Sequence, residues 1–437
     1  MRESRYNVWA NLGSAHYVFN AASGAFRRVS AADHAAVERF LATRGRERCP
    51  LPVLLALAKD GMLVADELDE VGALRLRYEK ARHDSSSLRL VILTSLGCNF
   101  ACPYCFEAKH PSLMTGEVQR SVLRYVDERL PGLASLDVTW FGGEPLLGRA
   151  ALFELSTAIR ERCAVGNVKY SADIITNGYL LDEDTCRRLA EHGVDWAQVT
   201  LDGPPAVHDL RRPLAGGGGT FWRIVKNLSH AVRHFEVTVR VNVDGENDDQ
   251  TAALFAILAS EGLAGKLTVN TGHLRWNDAA SALPGGCGEG CLDKQEFAWI
   301  DHHFTALAAR SGFANWSPPQ PTALHCEALH CGALVVGSEG ELYPCARRAG
   351  DPAAVIGDIR KLPALAGWHD PFPGYDPFAG VECRACIALP LCMGGCPRDA
   401  IALDPATRAN RCHEFRYTHD DLILRCAEAE EAKRQAA

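Results

Sequence analysis

The chain has 437 residues, 47% of them hydrophobic, which is about three domains' worth of polypeptide with enough apolar matter for real cores. A net charge of −8 excludes a broad basic field for nucleic acid or an anionic membrane. The opening Met-Arg-Glu-Ser-Arg-Tyr-Asn lacks the apolar core of a secretory signal, and no apolar run approaches the roughly 20 residues of a membrane span, so a soluble, cytoplasmic chain with reduced thiols is expected.

Residues 1–82 read as a small hairpin and helix domain. Short strands at 17–20 and 25–29 flank Ala-Ala-Ser-Gly, and a helix over 31–43 follows. Then come an apolar segment at 51–57, a short strand at 61–65 and a helical linker over 66–82. From residue 88 to 275 two periods alternate. Strands are expected at 88–96, 136–141, 169–176, 195–201, 237–243 and 266–270. Amphipathic helices are expected at 115–130, 149–163, 182–192, 220–234 and 248–261, with Thr115 and Asp182 as caps and Gly193 and Gly262 just past two ends. Repeated strand–helix units predict an α/β fold, a partial (β/α)6 barrel whose chemistry sits at the C-terminal strand ends. Gly216–Gly219 reads as a flexible loop, since no P-loop lysine follows. Residues 276–325 read as a bridge, 326–415 as a cysteine-rich domain and 416–437 as a C-terminal helix.

Seventeen cysteines in a reducing compartment call for metal ligation, catalysis or burial as small hydrophobes. Clustering separates these uses. Cys98, Cys102 and Cys105 form a Cys-x3-Cys-x2-Cys loop directly after the first barrel strand. Three thiolates and no fourth leave one iron of a four-iron cluster without a protein ligand, whereas zinc would want a fourth ligand nearby. Eight more cysteines fall between Cys326 and Cys412: Cys326, Cys331, Cys345, Cys383, Cys386, Cys392, Cys396 and Cys412. Eight thiolates serve two fully ligated four-iron clusters or two tetrahedral zinc sites. Cys287-Gly-Glu-Gly-Cys291 reads as a mobile loop with incidental thiols.

The loop Cys98-Asn-Phe-Ala-Cys102-Pro-Tyr-Cys105-Phe-Glu107 resembles the signature of radical S-adenosylmethionine (SAM) enzymes. That resemblance implies a [4Fe-4S] cluster whose open iron binds SAM, and cleavage of SAM to a 5′-deoxyadenosyl radical that removes a hydrogen atom from substrate. The turn Gly142-Gly143-Glu144-Pro145 at the end of the second strand resembles the family's SAM-amine turn. Tyr104, Thr176, Asn177, Thr200, Asp202 and Arg240 fall at positions that the resemblance assigns to other parts of SAM. Glu107, Asp202 and His208 are candidate acids or bases. The C-terminal cysteines, with Gly340-Glu-Leu-Tyr-Pro-Cys345, resemble the SPASM domain. By that resemblance Cys326, Cys331, Cys345 and Cys396 hold one auxiliary cluster, and Cys383, Cys386, Cys392 and Cys412 a second, making three [4Fe-4S] clusters with SAM as cofactors.

The order of elements in residues 1–82 loosely resembles the winged-helix domain that binds leader peptides, and it reads equally well as a cap over the open side of the barrel. The implied function is an oxidative maturase that cross-links a ribosomally synthesised precursor peptide, fed by a reductase with flavodoxin or ferredoxin. Three alternatives stand beside it: an anaerobic sulfatase maturase forming formylglycine, a peptide epimerase, and an iron–sulfur protein that only transfers electrons. Sulfatase maturases place an aspartate directly after Tyr-Pro-Cys; here Ala346, Arg347 and Arg348 follow Cys345.

Overall fold

The computed structural model describes residues 1–275, 290–314, 316–361, 372, 374–402 and 405–436. Its first layer is a three-stranded antiparallel sheet. After a short strand β1 (Arg2–Glu3) come β2 (Asn7–Leu12), β3 (Ala15–Asn20) and β4 (Phe26–Ser30), with Trp9 opposite Val18 and Phe19 opposite Phe26. The expected hairpin is β3–β4, and β2 adds a third strand that its polar Asn and Trp hid from a pattern search. Helix α1 (Ala31–Ala42) starts where the Ser30 hydroxyl accepts from the Asp33 amide. The apolar segment after it is helical, α2 (Leu51–Lys59), and β5 (Leu63–Val64) returns to pair with β1. Helix α3 (Glu70–Arg82), capped by Asp69, leads into the barrel.

The barrel strands are β6 (Ser87–Ser95), β7 (Ser135–Gly142), β8 (Lys169–Thr176), β9 (Val194–Thr200), β10 (Glu236–Val243) and β11 (Thr268–His273). They pair in parallel in chain order, Leu90 beside Val138 and Val138 beside Ala172. Between them run α4 (Gly116–Arg129), α5 (Arg149–Gly166), α6 (Glu183–Glu191), α7 (Pro205–Arg211), α8 (Phe221–Ala231) and α9 (Thr251–Ser260). Thr115 and Asp182 cap α4 and α6 as expected, accepting from the Val118 and Thr185 amides. Helix α7, only seven residues long and entered through Pro204-Pro205, was not anticipated. The last strand begins two and ends three residues further on than its sequence suggested, which carries His273 to its C-terminal end.

Core residues Leu88, Leu90, Ile92, Leu136, Trp140, Ile174, Ala197 and Val239 are almost wholly buried between sheet and helices. The sheet does not close: β11 forms one edge and β12 (Ala333–Val336) runs parallel to β6 on the other side. Helix α10 (Lys294–Arg310), begun by an Asp293–Glu296 capping box, precedes β12. Beyond β12 the sheet extends through antiparallel β13 (Glu341–Tyr343) and β14 (Gly357–Asp358). Short helices α11 (Val381–Ala385), α12 (Leu389–Cys392), α13 (Pro397–Ala400) and α14 (Pro405–Ala409) carry Cys383 and Cys392 and are flanked by Cys386, Cys396 and Cys412, and α15 (Phe415–Ala436) ends the described chain.

A second core joins the two ends of the sequence. Tyr6, Tyr17 and Phe19 pack with Leu329, Phe378, Leu389, Phe415 and Ile423. Among the described residues no helix is long and apolar enough to cross a membrane.

Candidate active site

The cysteine loop leaves β6 at Ser95 and is pinned at several points. Ala101 N–H donates to Pro213 O at 2.9 Å, Ala215 N–H to Asn99 O at 2.8 Å, and Lys109 Nζ to Phe100 O at 3.0 Å. Asn177, at the end of β8, donates from Nδ2 to Asn99 Oδ1 at 2.7 Å. The Gly216–Gly219 segment is a turn that supports this clamp, with Leu214 N–H on Gly218 O and positive φ at Gly217 and Gly218.

The turn after β7 lies against the start of the same loop. Gly143 N–H donates to Ser95 O at 3.1 Å and Glu144 N–H to Gly97 O at 2.9 Å. At Gly142, φ is +127° and a Cβ would lie 2.2 Å from Ser95 O; at Gly143 it would lie 2.5 Å from Gly97 O. Only glycine lets the two backbones come this close.

Cys98, Cys102, Cys105, Tyr104, Gly142, Gly143, Thr176, Asn177, Thr200 and Arg240 all line one cavity of about 420 Å³ at the C-terminal strand ends. Glu144 and Asp202 do not; they stand behind its wall. The Glu144 carboxylate is fully buried and accepts from Thr176 Oγ1 at 2.7 Å, Asn177 N at 2.8 Å and Leu146 N at 3.1 Å. Asp202 accepts from Asn242 N at 3.0 Å and from the Tyr104 hydroxyl. Tyr104 also receives Arg212 Nη1 at 2.6 Å, so this ring is tied to the barrel wall by its hydroxyl. Arg211 sits above the Tyr104 ring and forks onto Asp244 at 2.9 and 3.1 Å.

His208 is buried and structural. Asp202 N–H donates to its Nδ1 at 3.2 Å, so Nε2 carries the proton and donates to Thr220 Oγ1 at 3.1 Å. Burial, then Arg212 and Arg211, hold it well below the usual histidine range. It is thereby excluded from the candidate acids and bases. Glu107 is also buried and is pushed up to about 7 by desolvation, against the pull of Lys109.

Arg212 and Asn242 read as polar residues near the strand ends without an assigned role, and Lys109, Gln198, His273, Arg275 and Arg347 were not expected in the cavity. Gln198 and Asn242 were findable, because each lies two residues from a named inward-facing partner, Thr200 and Arg240, on the same strand face. Arg275 and Arg347 come from segments outside the barrel strands. Arg240 donates to Asn242 Oδ1 at 2.9 Å and lies over Gly272, which pairs with Asn242 in β11 and whose missing Cβ would lie 2.4 Å from the Arg240 Nη2. Arg275 and Arg347 share the one carboxylate of Asp399. Burial and neighbouring arginines lower both Arg240 and Arg275.

A second cavity, about 310 Å³, lies behind Arg347 and is lined by Cys326, Cys345 and Cys396, with Arg347 Nη1 4.0 Å from Cys396 Sγ. Cys331 is not among its lining residues. A third, about 20 Å³, is lined by Cys383, Cys386, Cys392 and Cys412, flanked by Arg411 and Arg416. Among the described residues no three His, Cys, Asp or Glu side chains stand as close as a single metal ion requires. Burial raises Cys98 to about 11 and Cys326 and Cys392 to about 12, so binding iron must displace protons. Cys291 is disulfide-bonded, against the expectation of reduced thiols; Cys287 lies outside the described residues.

Residues 92–257 match the Radical SAM superfamily. The chain contains a radical SAM domain. It is 26% identical over 314 residues to the serine-type anaerobic sulfatase-maturating enzyme of Klebsiella pneumoniae, covering 69% of this chain and 79% of that one. It is 30% identical over 143 residues to the cysteine-type enzyme of Clostridium perfringens, covering 31% and 38%. The solved structure of native anSMEcpe with bound AdoMet superposes with a TM-score of 0.59 at 20% identity, covering 78% of this chain and 99% of that one. SuiB of Streptococcus suis superposes at 0.52 and 15%, covering 93% and 98%. The radical SAM domain thus accounts for the open parallel barrel and for three thiols on the loop after its first strand. Three thiols beside a glycine turn fit a cluster with one free corner.

Proposed function

We propose that this enzyme oxidatively modifies, and cross-links, a ribosomally synthesised precursor peptide. When bound, the cluster and SAM supply a reactive radical that removes hydrogen from an unactivated carbon. The chain's own residues hold and shield that chemistry. Cys98, Cys102 and Cys105 hold the iron. The Gly142-Gly143 backbone, Tyr104, Thr176, Asn177, Thr200 and Arg240 orient SAM, with Glu144 and Asp202 fixing those residues from behind. The Cys383, Cys386, Cys392 and Cys412 set holds an auxiliary cluster, and the Cys326, Cys345 and Cys396 set holds another. One observation carries the oxidative reading: Arg347 lines both the barrel cavity and the cavity of that second thiol set, so the two share a wall. A cluster held by that set would supply an electron acceptor beside the cavity in which the substrate is held. Reducing equivalents for SAM come from a flavodoxin or ferredoxin.

The substrate class is supported by the relatives. SuiB, whose fold covers most of this chain, has been solved bound to the precursor peptide SuiA, and anSMEcpe bound to the peptide Cp18Cys. Anaerobic incubation with a reductant, SAM and a precursor peptide encoded next to this chain is expected to give a product lighter by about two hydrogens that forms no hydrazone. SAM cleavage with peptide mass unchanged would overturn the cross-linking reading.

A second reading is formylglycine formation, favoured by the sulfatase-maturating relatives. Ala346 stands where an aspartate would be expected in such an enzyme, followed by Arg347 and Arg348. A hydrazone-forming aldehyde on a Cys-x-Pro-x-Arg or Ser-x-Pro-x-Arg peptide would establish it.

A further inference from the structure

The sequence supplies four cysteines for the auxiliary site next to the barrel, and the structure assembles three. Cys326, Cys345 and Cys396 face one cavity. Cys331 faces the other way. Its thiol donates to Asp84 O at 3.4 Å and its amide donates to Arg82 O at 2.8 Å.

This orientation is held by the sheet. Immediately after Cys331, Gly332 O receives Arg89 N–H at 2.9 Å, and Ala333 to Val336 pair in register with Arg89 to Ile92 of β6. A Cβ on Gly332 would lie 2.2 Å from Ser87 O, so the segment is pressed flat against the root of β6. Immediately before it, the His330 ring bonds Ser87 Oγ at 3.0 Å and receives Gly332 N–H at 2.9 Å. Turning the Cys331 thiol into the cavity would break its amide bond to Arg82 and strip the first pairs of β12 from β6. Main-chain donors left buried without a partner pay their full desolvation penalty.

The geometry points to an auxiliary cluster held by three thiolates, with Cys331 no ligand and the fourth iron corner left to an exchangeable donor, the other candidates in the same cavity being His325 and Glu327. This rests on the reading that an auxiliary cluster occupies the Cys326, Cys345 and Cys396 site. Anaerobically reconstituted wild-type protein holds about twelve irons if three four-iron clusters form. Cys331→Ala is expected to keep them all, whereas Cys345→Ala loses about four. In the loaded wild-type protein, iodoacetamide followed by peptide mapping is expected to label Cys331, while Cys326, Cys345 and Cys396 react only after the iron is chelated. With SAM filling the barrel cluster, cyanide added to the reduced protein is expected to shift the EPR signal of one cluster. Loss of about four irons from Cys331→Ala, protection of Cys331 until chelation, or an EPR spectrum indifferent to cyanide would each overturn the proposal. Unchanged iron in Cys345→Ala would instead remove the auxiliary cluster itself, and the proposal with it.

Discussion

The barrel and the C-terminal cysteine region gather their thiols in opposite ways. The barrel takes its three thiols from eight consecutive residues of one loop and clamps that loop to β7, β8 and the segment after α7. The C-terminal region collects its thiols from segments up to seventy residues apart, Cys326 with Cys396, on short helices and turns. A site on one loop is specified by local spacing. A site gathered from distant turns is specified by packing, and spacing alone does not say which cysteine arrives.

Substitutions can break or sharpen this contrast. The largest effect is expected from Cys102→Ala: no detectable 5′-deoxyadenosine by chromatography, and about four irons lost while the C-terminal clusters persist. Gly142→Ala comes next. A Cβ 2.2 Å from Ser95 O at φ +127° forces the turn off the cysteine loop, with a cost of about 2–4 kcal/mol in unfolding free energy and a weaker SAM Kd by calorimetry. Tyr104→Phe removes the hydroxyl that Asp202 and Arg212 share, and the KM for SAM is expected to rise about tenfold with iron unchanged.

A pH prediction concerns Asp301, on α10 beneath β11. Burial, then Glu414, push it up to about 6, while Thr271 and Lys294 oppose. Because the folded state holds this proton more tightly than the unfolded chain, stability is greatest below about pH 4 for this group and is lost as pH rises to about 6. Asp301→Asn is expected to flatten the Tm profile across that window. The smallest effect is at a helix cap: Asp182→Ala should lower stability by about 1 kcal/mol, read by denaturant titration, with both iron regions untouched.

How much the sequence revealed follows the same division. Repeated strand–helix alternation located every barrel strand, because apolar or alternating runs mark the strands and side-chain caps open α4 and α6. The turn at Gly142 and the polar strand ends at Thr176, Asn177 and Thr200 were legible for the same reason. Glu144 and Asp202 were legible as residues but not as positions: a carboxylate that serves as a backstop reads the same as one that faces the ligand. Arg275 and Arg347 were invisible, since the cavity meets them only through the tertiary fold. Cys331 shows the limit most plainly. Its spacing suits a ligand, and the strand that begins two residues later turns it away.

The seam between the two ends of the chain has a practical consequence. Tyr17 and Arg28 reach Glu431, and Phe19 packs edge-on against Phe415. On the ribosome, the first sheet therefore keeps an apolar face bare until the final helix emerges. An excised fragment of residues 1–82, offered a peptide in isolation, would face water with that surface, and its stickiness would masquerade as recognition.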